Sequence, residues 1–600
     1  MGAIPAGQTL TLRVTMPRDM GVTGVTLLLG RDGAPDRELP LSWESTDGDT
    51  EWWRADVTFD APDIWFYRFA YTTAWGMGNI CFHSSGMGCF SDSGERWQQT
   101  VYDPDYRTPD WMPGGIMYQI FPDRFFASGT PKKDVPTDRR MHAGPDEAPD
   151  WQPDPVSGRW NTDYYGGDLE GIREKLDYLA SLGVTCLYLN PIFEAHSNHR
   201  YDTADYMRID PLLGTQADFT ALCRDAKVRG IRVIFDGVFS HTGDDSRYFN
   251  RFGRYADVGA AQSPDSPYHS WYRFRPGGGY DAWWGVKSLP ETREEDPGYR
   301  AFITGEDGVI RHWMACGASG VRLDVADELP DDFIELVRAA VRGADPEGLV
   351  LGEVWEDASN KVSYGARRRY LLGHELDSVM NYPFREAIVD FLTGGSAEVF
   401  IDRVLTVCEN YPKPALDCLM NILGTHDTER ITSVLGGLTG EGIDRRQQAA
   451  LRLTPEQRQT AERRLRCAYT LLYTLPGVPC IYYGDEILTE GLKDPFNRTC
   501  FDWSREGGGV TEHLRTLARL RRAHACLARG ELSCVSAMLG CAAYRRTAPG
   551  DALVVVANMN PHDITYYLPH RERGYAPVLG ELRGNAVTVP AESAVIVTEL

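Results

Sequence analysis

The chain has 600 residues, 42% hydrophobic and 24% charged, the make-up of a folded protein of several domains. Its 62 basic residues against 85 acidic ones leave a net charge of −23, which excludes nucleic acid as an expected partner, because phosphate binding draws on an excess of Lys and Arg. No apolar run approaches the roughly 20 residues of a membrane span, so no membrane association is expected.

The first residues, MGAIPAGQTLTLRVTM, lack a basic start followed by an apolar core, and a cytoplasmic location is the expectation. Thirteen scattered cysteines, an odd number without CxxC spacing, fit reduced thiols in that compartment. Residues 1–105 read as an all-β domain. LTLRVTMP, GVTLLLG, EWWRADVTF and IWFYRFAYTT are short strands broken by Gly, Pro and Asp. The stretch 102–115, YDPDYRTPDWMPGG, reads as a linker.

After it, short apolar runs alternate with helical segments. The runs are GIMYQIF (115–121), VTCLYLNPIF (184–193), IRVIFDGVF (231–239), GVRLDV (320–325), GLVLGEV (348–354), SVMNYP (378–383), NILGTHD (421–427) and VPCIYYGD (478–485). Between them lie amphipathic stretches such as DLEGIREKLDYLASLG, with Leu169, Ile172, Leu176, Leu179 and Leu182 on one face. Eight βα units predict an α/β fold, a (β/α)₈ TIM barrel over 106–528. The alternative, an open doubly wound sheet, lacks a Gly-rich dinucleotide loop. An aromatic-rich segment with little clear helix, 242–297, is inserted after strand three, and 436–459 is a polar excursion. The last segment, 529–600, ends in NAVTVPAESAVIVTEL and reads as a small C-terminal β-domain.

Reactive groups of such a barrel sit at the C-terminal ends of its strands. Asp236 and His241 follow strand three, Arg322 and Asp324 strand four, Glu353 strand five, and His426 and Asp427 strand seven. A lone strand-end Asp is as often a structural ion pair as a working group. Charge at four separate strand ends that converge on one mouth is not what packing alone requires. Three carboxylates with an Arg, two His and many Trp and Tyr fit sugar chemistry. Glycosidic cleavage needs one carboxylate as nucleophile and one proton-bearing acid for the leaving oxygen. Metal hydrolysis is the rival, but HxH, HExxH and Cys/His ligand spacings are absent.

Eight stretches, MYQIFPDRF, GGDLEGI, SNHRYDTADY, DGVFSH, GVRLDVADE, GEVWEDA, LGTHDTER and GVPCIYYGDE, stand in one characteristic order. In them the chain resembles the α-amylase family of glycoside hydrolases, and within it the neopullulanase, cyclomaltodextrinase and maltogenic amylase group. By position and composition, 1–105 is similar to that group's starch-binding-like N-terminal β-sandwich. The resemblance implies Asp324 as nucleophile, Arg322 as the arginine that keeps it ionised, Glu353 as acid/base and Asp427 as third carboxylate. It implies that His241 and His426 bond sugar hydroxyls, that Tyr201 stacks under the sugar at the cleavage point, and that Asp494 and Arg498 hold the next sugar. Glu328 and Trp355 fall on the leaving side; plain core packing is the bland reading for Trp355.

The activity so implied is retaining hydrolysis of α-glucosidic bonds in maltooligosaccharides, cyclodextrins or pullulan- and starch-type glucans, with transglycosylation beside it. An α-glucosidase or glucanotransferase of the same family is the alternative. A non-catalytic glucan-binding or chaperone-like subunit would have lost the carboxylates. In the group, the N-terminal domain pairs two chains, which implies a homodimer; a sugar-binding module on a monomer is the other reading. Three positions depart from the pattern. Ser240 stands where many relatives have a calcium-ligating Asn, the loop FASGTPKKDVP has lost an Asn- and Asp-rich calcium sequence, and Asp327 replaces an Asn. Asp134 and Asp168 alone cannot supply the six or more oxygens of a calcium shell. No metal and no cofactor are expected.

Overall fold

The structure, a computed structural model, describes residues 2–156, 158–569 and 574–600. At its centre eight parallel strands close a barrel. They are β1 (Met117–Ile120), β2 (Cys186–Leu189), β3 (Arg232–Gly237), β4 (Gly320–Leu323), β5 (Leu349–Gly352), β6 (Ser378–Asn381), β7 (Met420–Asn421) and β8 (Val478–Tyr482). Seven fall within one of the eight apolar runs, and β7 overlaps its run at Asn421. β8 returns to β1 with Met117 opposite Cys480, which closes the ring.

The runs are continuous because both faces of each strand are buried. The period of two still sorts them. Met117, Cys186, Tyr188, Ile234, Leu349, Leu351, Met420 and Cys480 form one cluster, the barrel interior. Leu187, Leu189, Val233, Phe235, Val321, Leu323 and Val350 join the larger core between strands and helices. Counting on by two from the interior residues decides what faces the mouth. Ile234 leads to Asp236, Leu351 leads to Glu353, and in β4 the inward positions are Arg322 and Asp324. At the start of β4, Gly320 has φ +155°, and a Cβ there would lie 2.3 Å from the Leu349 carbonyl oxygen. The close approach of β4 to β5 therefore requires glycine at this position.

The expected amphipathic segment at 169–182 is two short helices, Leu169–Glu174 and Leu176–Ser181, and its five apolar residues are fully buried. The insertion 242–297 holds only two short 3₁₀ turns, His269–Trp271 and Trp283–Gly285, before a helix at Pro297–Thr304. N-terminal to the barrel, a seven-stranded and a three-stranded sheet pack face to face around Leu12, Leu27, Val57, Phe69 and Val101. At the C-terminal end, a five-stranded and a three-stranded sheet enclose Val554, Val556, Val587 and Val595. All 13 cysteines are unpaired. Among the described residues, no helix is long and apolar enough to cross a membrane.

Candidate active site

Arg322 is the hub of the barrel mouth. Its side chain is fully buried, and Nη1 donates to Asp236 Oδ1 (2.7 Å) and to Asp324 Oδ1 (2.8 Å). Nη2 lies 2.9 Å from Glu353 Oε2. One guanidinium thus touches the ends of β3, β4 and β5. Glu353 Oε2 also accepts the backbone N–H of Val325 (2.8 Å), and Trp355 Nε1 donates to Oε1 (3.1 Å). Val325 has φ +42°, a left-handed conformation that β-branched residues rarely take, so the backbone beside Asp324 is strained. The bond from Val325 to Glu353 helps hold it there.

Asp427 enters from the end of β7. Arg498 Nη2 donates to its Oδ1 (3.2 Å), and His426 Nε2 lies 3.0 Å from Oδ2. Asp494 Oδ1 pairs with Arg498 Nη1 at 3.0 Å. Gln119 Nε2 donates to His426 Nδ1 (2.9 Å), and His426 Nε2 meets both the Tyr201 hydroxyl and Asp427. Tyr201 lies parallel to the His426 ring, 5.3 Å between centroids, and its hydroxyl donates to Asp236 Oδ2 (2.9 Å). Tyr188 donates to the same oxygen (2.6 Å). His241 Nδ1 faces Ser240 Oγ at 3.0 Å, while its buried Nε2 has no partner in the described protein. Burial lowers its pKa to about 4, so the ring is neutral and Nε2 is free to meet a hydroxyl.

Burial also holds the Asp324 carboxyl well above the usual carboxylate range, with Glu353 and Asp236 adding to it. Arg322 acts in the expected lowering sense but is outweighed. Asp324 and Glu353 share one guanidinium. Asp427 goes the other way. Burial opposes its ionisation, but His426 and Arg498 hold it below the ordinary range.

Tyr201, His241, Arg322, Asp324, Glu353, His426, Asp427, Asp494 and Arg498 are therefore linked by direct contacts or lie on one rim. Trp355 is 44% exposed and stacks on Tyr382 at 4.0 Å, so it is a wall of the mouth and not core. Glu328 is tied to the insertion: Trp284 Nε1 donates to Oε1 (2.9 Å), and the Tyr364 hydroxyl bonds Oε2. Trp284 stacks on Trp283, which leans on His241. Asp327 accepts from the Tyr370 hydroxyl (2.7 Å) and pairs with Lys361 Nζ (3.1 Å). Sequence reading left Gln119, Tyr188 and Asn190, whose Nδ2 donates to the Tyr201 hydroxyl (2.9 Å), unassigned and gave Asp236 no role. Counting by two along each strand would have found Asp236 and Tyr188; nothing in the sequence marks Trp284 or Tyr364.

The calcium-loop residues are engaged otherwise. Lys132 Nζ lies 2.7 Å from Asp168 Oδ2, which also accepts from Ser128 Oγ (2.7 Å). A second group, His142, Asp150 and Asp163, brings ligand atoms within 4.8 Å of one another. Arg140 pairs with Asp150, and Arg124 lies 3.6 Å from Asp163, so protein cations already face this group.

Residues 119–518 match the family described as "Alpha amylase, catalytic domain". The chain belongs to the α-amylase family. An amylopullulanase of Thermoanaerobacterium saccharolyticum is 36% identical over 94% of the chain and 47% of its own length. The chain spans a third to about half of the amylopullulanases that it matches. A cyclomaltodextrinase of Geobacillus thermopakistaniensis is 31% identical over 94% of the chain and 90% of its own length. A solved cyclomaltodextrinase structure superposes with a TM-score of 0.70 at 27% identity, covering 99% of this chain and 97% of that one. The expected family and the barrel with β-sheet domains at both ends are thus found.

Proposed function

We propose that this α-amylase-family chain is a retaining glycoside hydrolase acting on maltooligosaccharides, cyclodextrins or pullulan-type glucans. The observation that carries the reading is Arg322 bridging Asp324 and Glu353 at 2.8 and 2.9 Å, with Asp427 on the same rim. In the reactive form Glu353 carries a proton, and Asp324, in contact with Arg322, is ionised. The Asp324 carboxylate attacks the anomeric carbon as the glycosidic C–O bond breaks, and Glu353 gives its proton to the leaving oxygen. Water then opens the glycosyl ester, and its proton returns to Glu353. Asp427 accepts hydroxyls of the distorted ring, and the neutral His241 Nε2 meets another. Trp355, Trp284 and Tyr364, exposed by 44%, 75% and 78%, offer flat surfaces to the departing sugars. A second sugar in place of water gives transglycosylation.

A non-catalytic subunit is not favoured, because all three carboxylates are present and connected. No calcium is included in the reading: an ammonium on Asp168 is incompatible with a cation ligated there. Thirteen unpaired thiols support a reducing, cytoplasmic compartment. A homodimer through the N-terminal domain completes the proposal.

Incubation with maltotriose, pullulan and β-cyclodextrin, with the first product followed by NMR, tests the function. Release of the α-anomer is expected, with no turnover by Asp324→Asn. First-formed β-anomer, or substantial activity of Asp324→Asn, would overturn the double displacement.

A further inference from the structure

A short hairpin beyond the end of β5 stands at the leaving side of the mouth. Its strands, Val362–Ser363 and Ala366–Arg367, are joined by Tyr364 and Gly365, which have φ +51° and +78°. A two-residue hairpin turn of this kind needs two left-handed residues, and Asn-Gly or Asp-Gly meets that need with least strain. Here a tyrosine stands first, and a bulky residue in that conformation is an outlier. Packing does not offset the strain, since Tyr364 is 78% exposed. Strain of this sort collects at sites where the side chain has a use.

The hairpin is fixed from two directions. Toward the mouth, Ser363 Oγ (3.1 Å) and Arg368 Nη1 (2.9 Å) both donate to the Asp327 carbonyl oxygen. On the other side, Arg367 Nε donates to Asp32 Oδ2 of the N-terminal sandwich (2.6 Å), and its guanidinium lies 4.8 Å from the centre of the Phe66 ring. Both domains therefore place the tip. There the Tyr364 hydroxyl meets one oxygen of Glu328, while Trp284 Nε1 donates to the other. Trp284 is a residue of the same kind, with φ +47° and 75% exposure. One carboxylate, four residues beyond Asp324, thus holds two exposed rings, one from the insertion 242–297 and one from the hairpin. Aromatic faces beside a carboxylate suit a sugar ring, which has apolar faces and hydroxyls to donate.

We propose that Tyr364 selects the acceptor of the second half-reaction: with Trp284 it retains a sugar on the leaving side, and that sugar takes the glycosyl group in place of water. In this step the sugar's hydroxyl oxygen bonds the anomeric carbon, the bond from that carbon to the Asp324 oxygen breaks, and the hydroxyl proton passes to Glu353. Arg367 is a positioning residue that acts through the hairpin. The proposal rests on the hydrolase reading of the mouth, and two assays separate them. One is fluoride release from dilute α-maltosyl fluoride without added sugar, which needs no leaving-side sugar. The other is the ratio of transfer to hydrolysis with maltotriose as donor and excess glucose as acceptor. Tyr364→Asn suits the left-handed turn and should melt at or above the parent temperature. It should lower the ratio by about fivefold, the loss of one aromatic contact, and leave fluoride release unchanged. Arg367→Ala should lower the ratio in the same direction, again with fluoride release unchanged. An unchanged ratio in Tyr364→Asn, or a parent that transfers nothing to glucose, would overturn the proposal. A fall in both assays together would do the same, because it would mark general damage to the mouth. A parent that releases no fluoride would sink the hydrolase reading itself.

Discussion

Asp168 shows how a single side chain can change what a loop needs. Its Oδ1 caps the helix Leu169–Glu174 by accepting from Gly171 N (2.6 Å), and its Oδ2 takes Ser128 Oγ and the Lys132 ammonium. The carboxylate is buried while Lys132 is part-exposed, so their pairing is worth less than a fully desolvated ion pair, roughly 1–3 kcal/mol. Lys132→Met should lower Tm by a few degrees, whereas EDTA should leave the Tm of the parent protein unchanged. A fall on chelation that calcium reverses would show that the ammonium has not taken a cation's place. The loss of acidic residues from this loop was legible in the sequence; which lysine turns inward was not, because two stand side by side. The same division holds in the mouth. Asp324, Glu353 and Asp427 were legible from motif and strand end. The net direction of Asp324's titration was not, because burial is a sum over a neighbourhood that the sequence does not lay out.

Strands were more legible than the segments between them. Each barrel strand is buried on both faces, so its residues form an unbroken apolar run, and eight runs gave eight strands. The insertion 242–297 offers no such period. Its order comes from stacked rings and from pairs such as Thr292 Oγ1 donating to Glu294 Oε1 (2.8 Å). Glu294, just ahead of the helix Pro297–Thr304, is 6% exposed, and burial raises its pKa from 4.5 to about 8. The consequence for stability has a definite sign. Below about pH 4.5 the carboxyl is protonated in both folded and unfolded chains. Between there and about pH 8 the unfolded chain has released the proton while the folded one keeps it, so stability falls as pH rises. Glu294→Gln keeps the acceptor for Thr292 and removes this loss. The variant should melt higher than the parent at pH 8, by the equivalent of roughly 1–4 kcal/mol, and level with it at pH 4. Equal melting at both pH values would mean that water reaches this carboxyl.

On the scale of the whole molecule, the N-terminal sandwich carries more aromatic and apolar surface than its own core uses. Trp53 and Phe69 are buried inside it, but the hairpin at its tip leaves Trp75 95% and Met77 84% exposed. Large apolar side chains clustered on a surface are the mark of an interaction site. The face toward the barrel takes up a different set, Tyr67, Phe82 and Trp97. The richness in Trp was legible in the sequence; its division between an inner face and an outer tip was not, since the inner rings come from three strands and Trp75 from the turn between two of them. For the outer tip a second copy of the chain is the occupant in the homodimer reading, and full-length protein should sediment as a dimer at micromolar concentration. Trp75→Glu places a charge where the partner would sit, on a side chain that packs against almost nothing in its own chain. It should shift the protein to monomer without lowering Tm. A monomeric parent protein would end the homodimer reading, and the sandwich would then act on glucan within one chain, with weaker activity on polymers as the result of losing it.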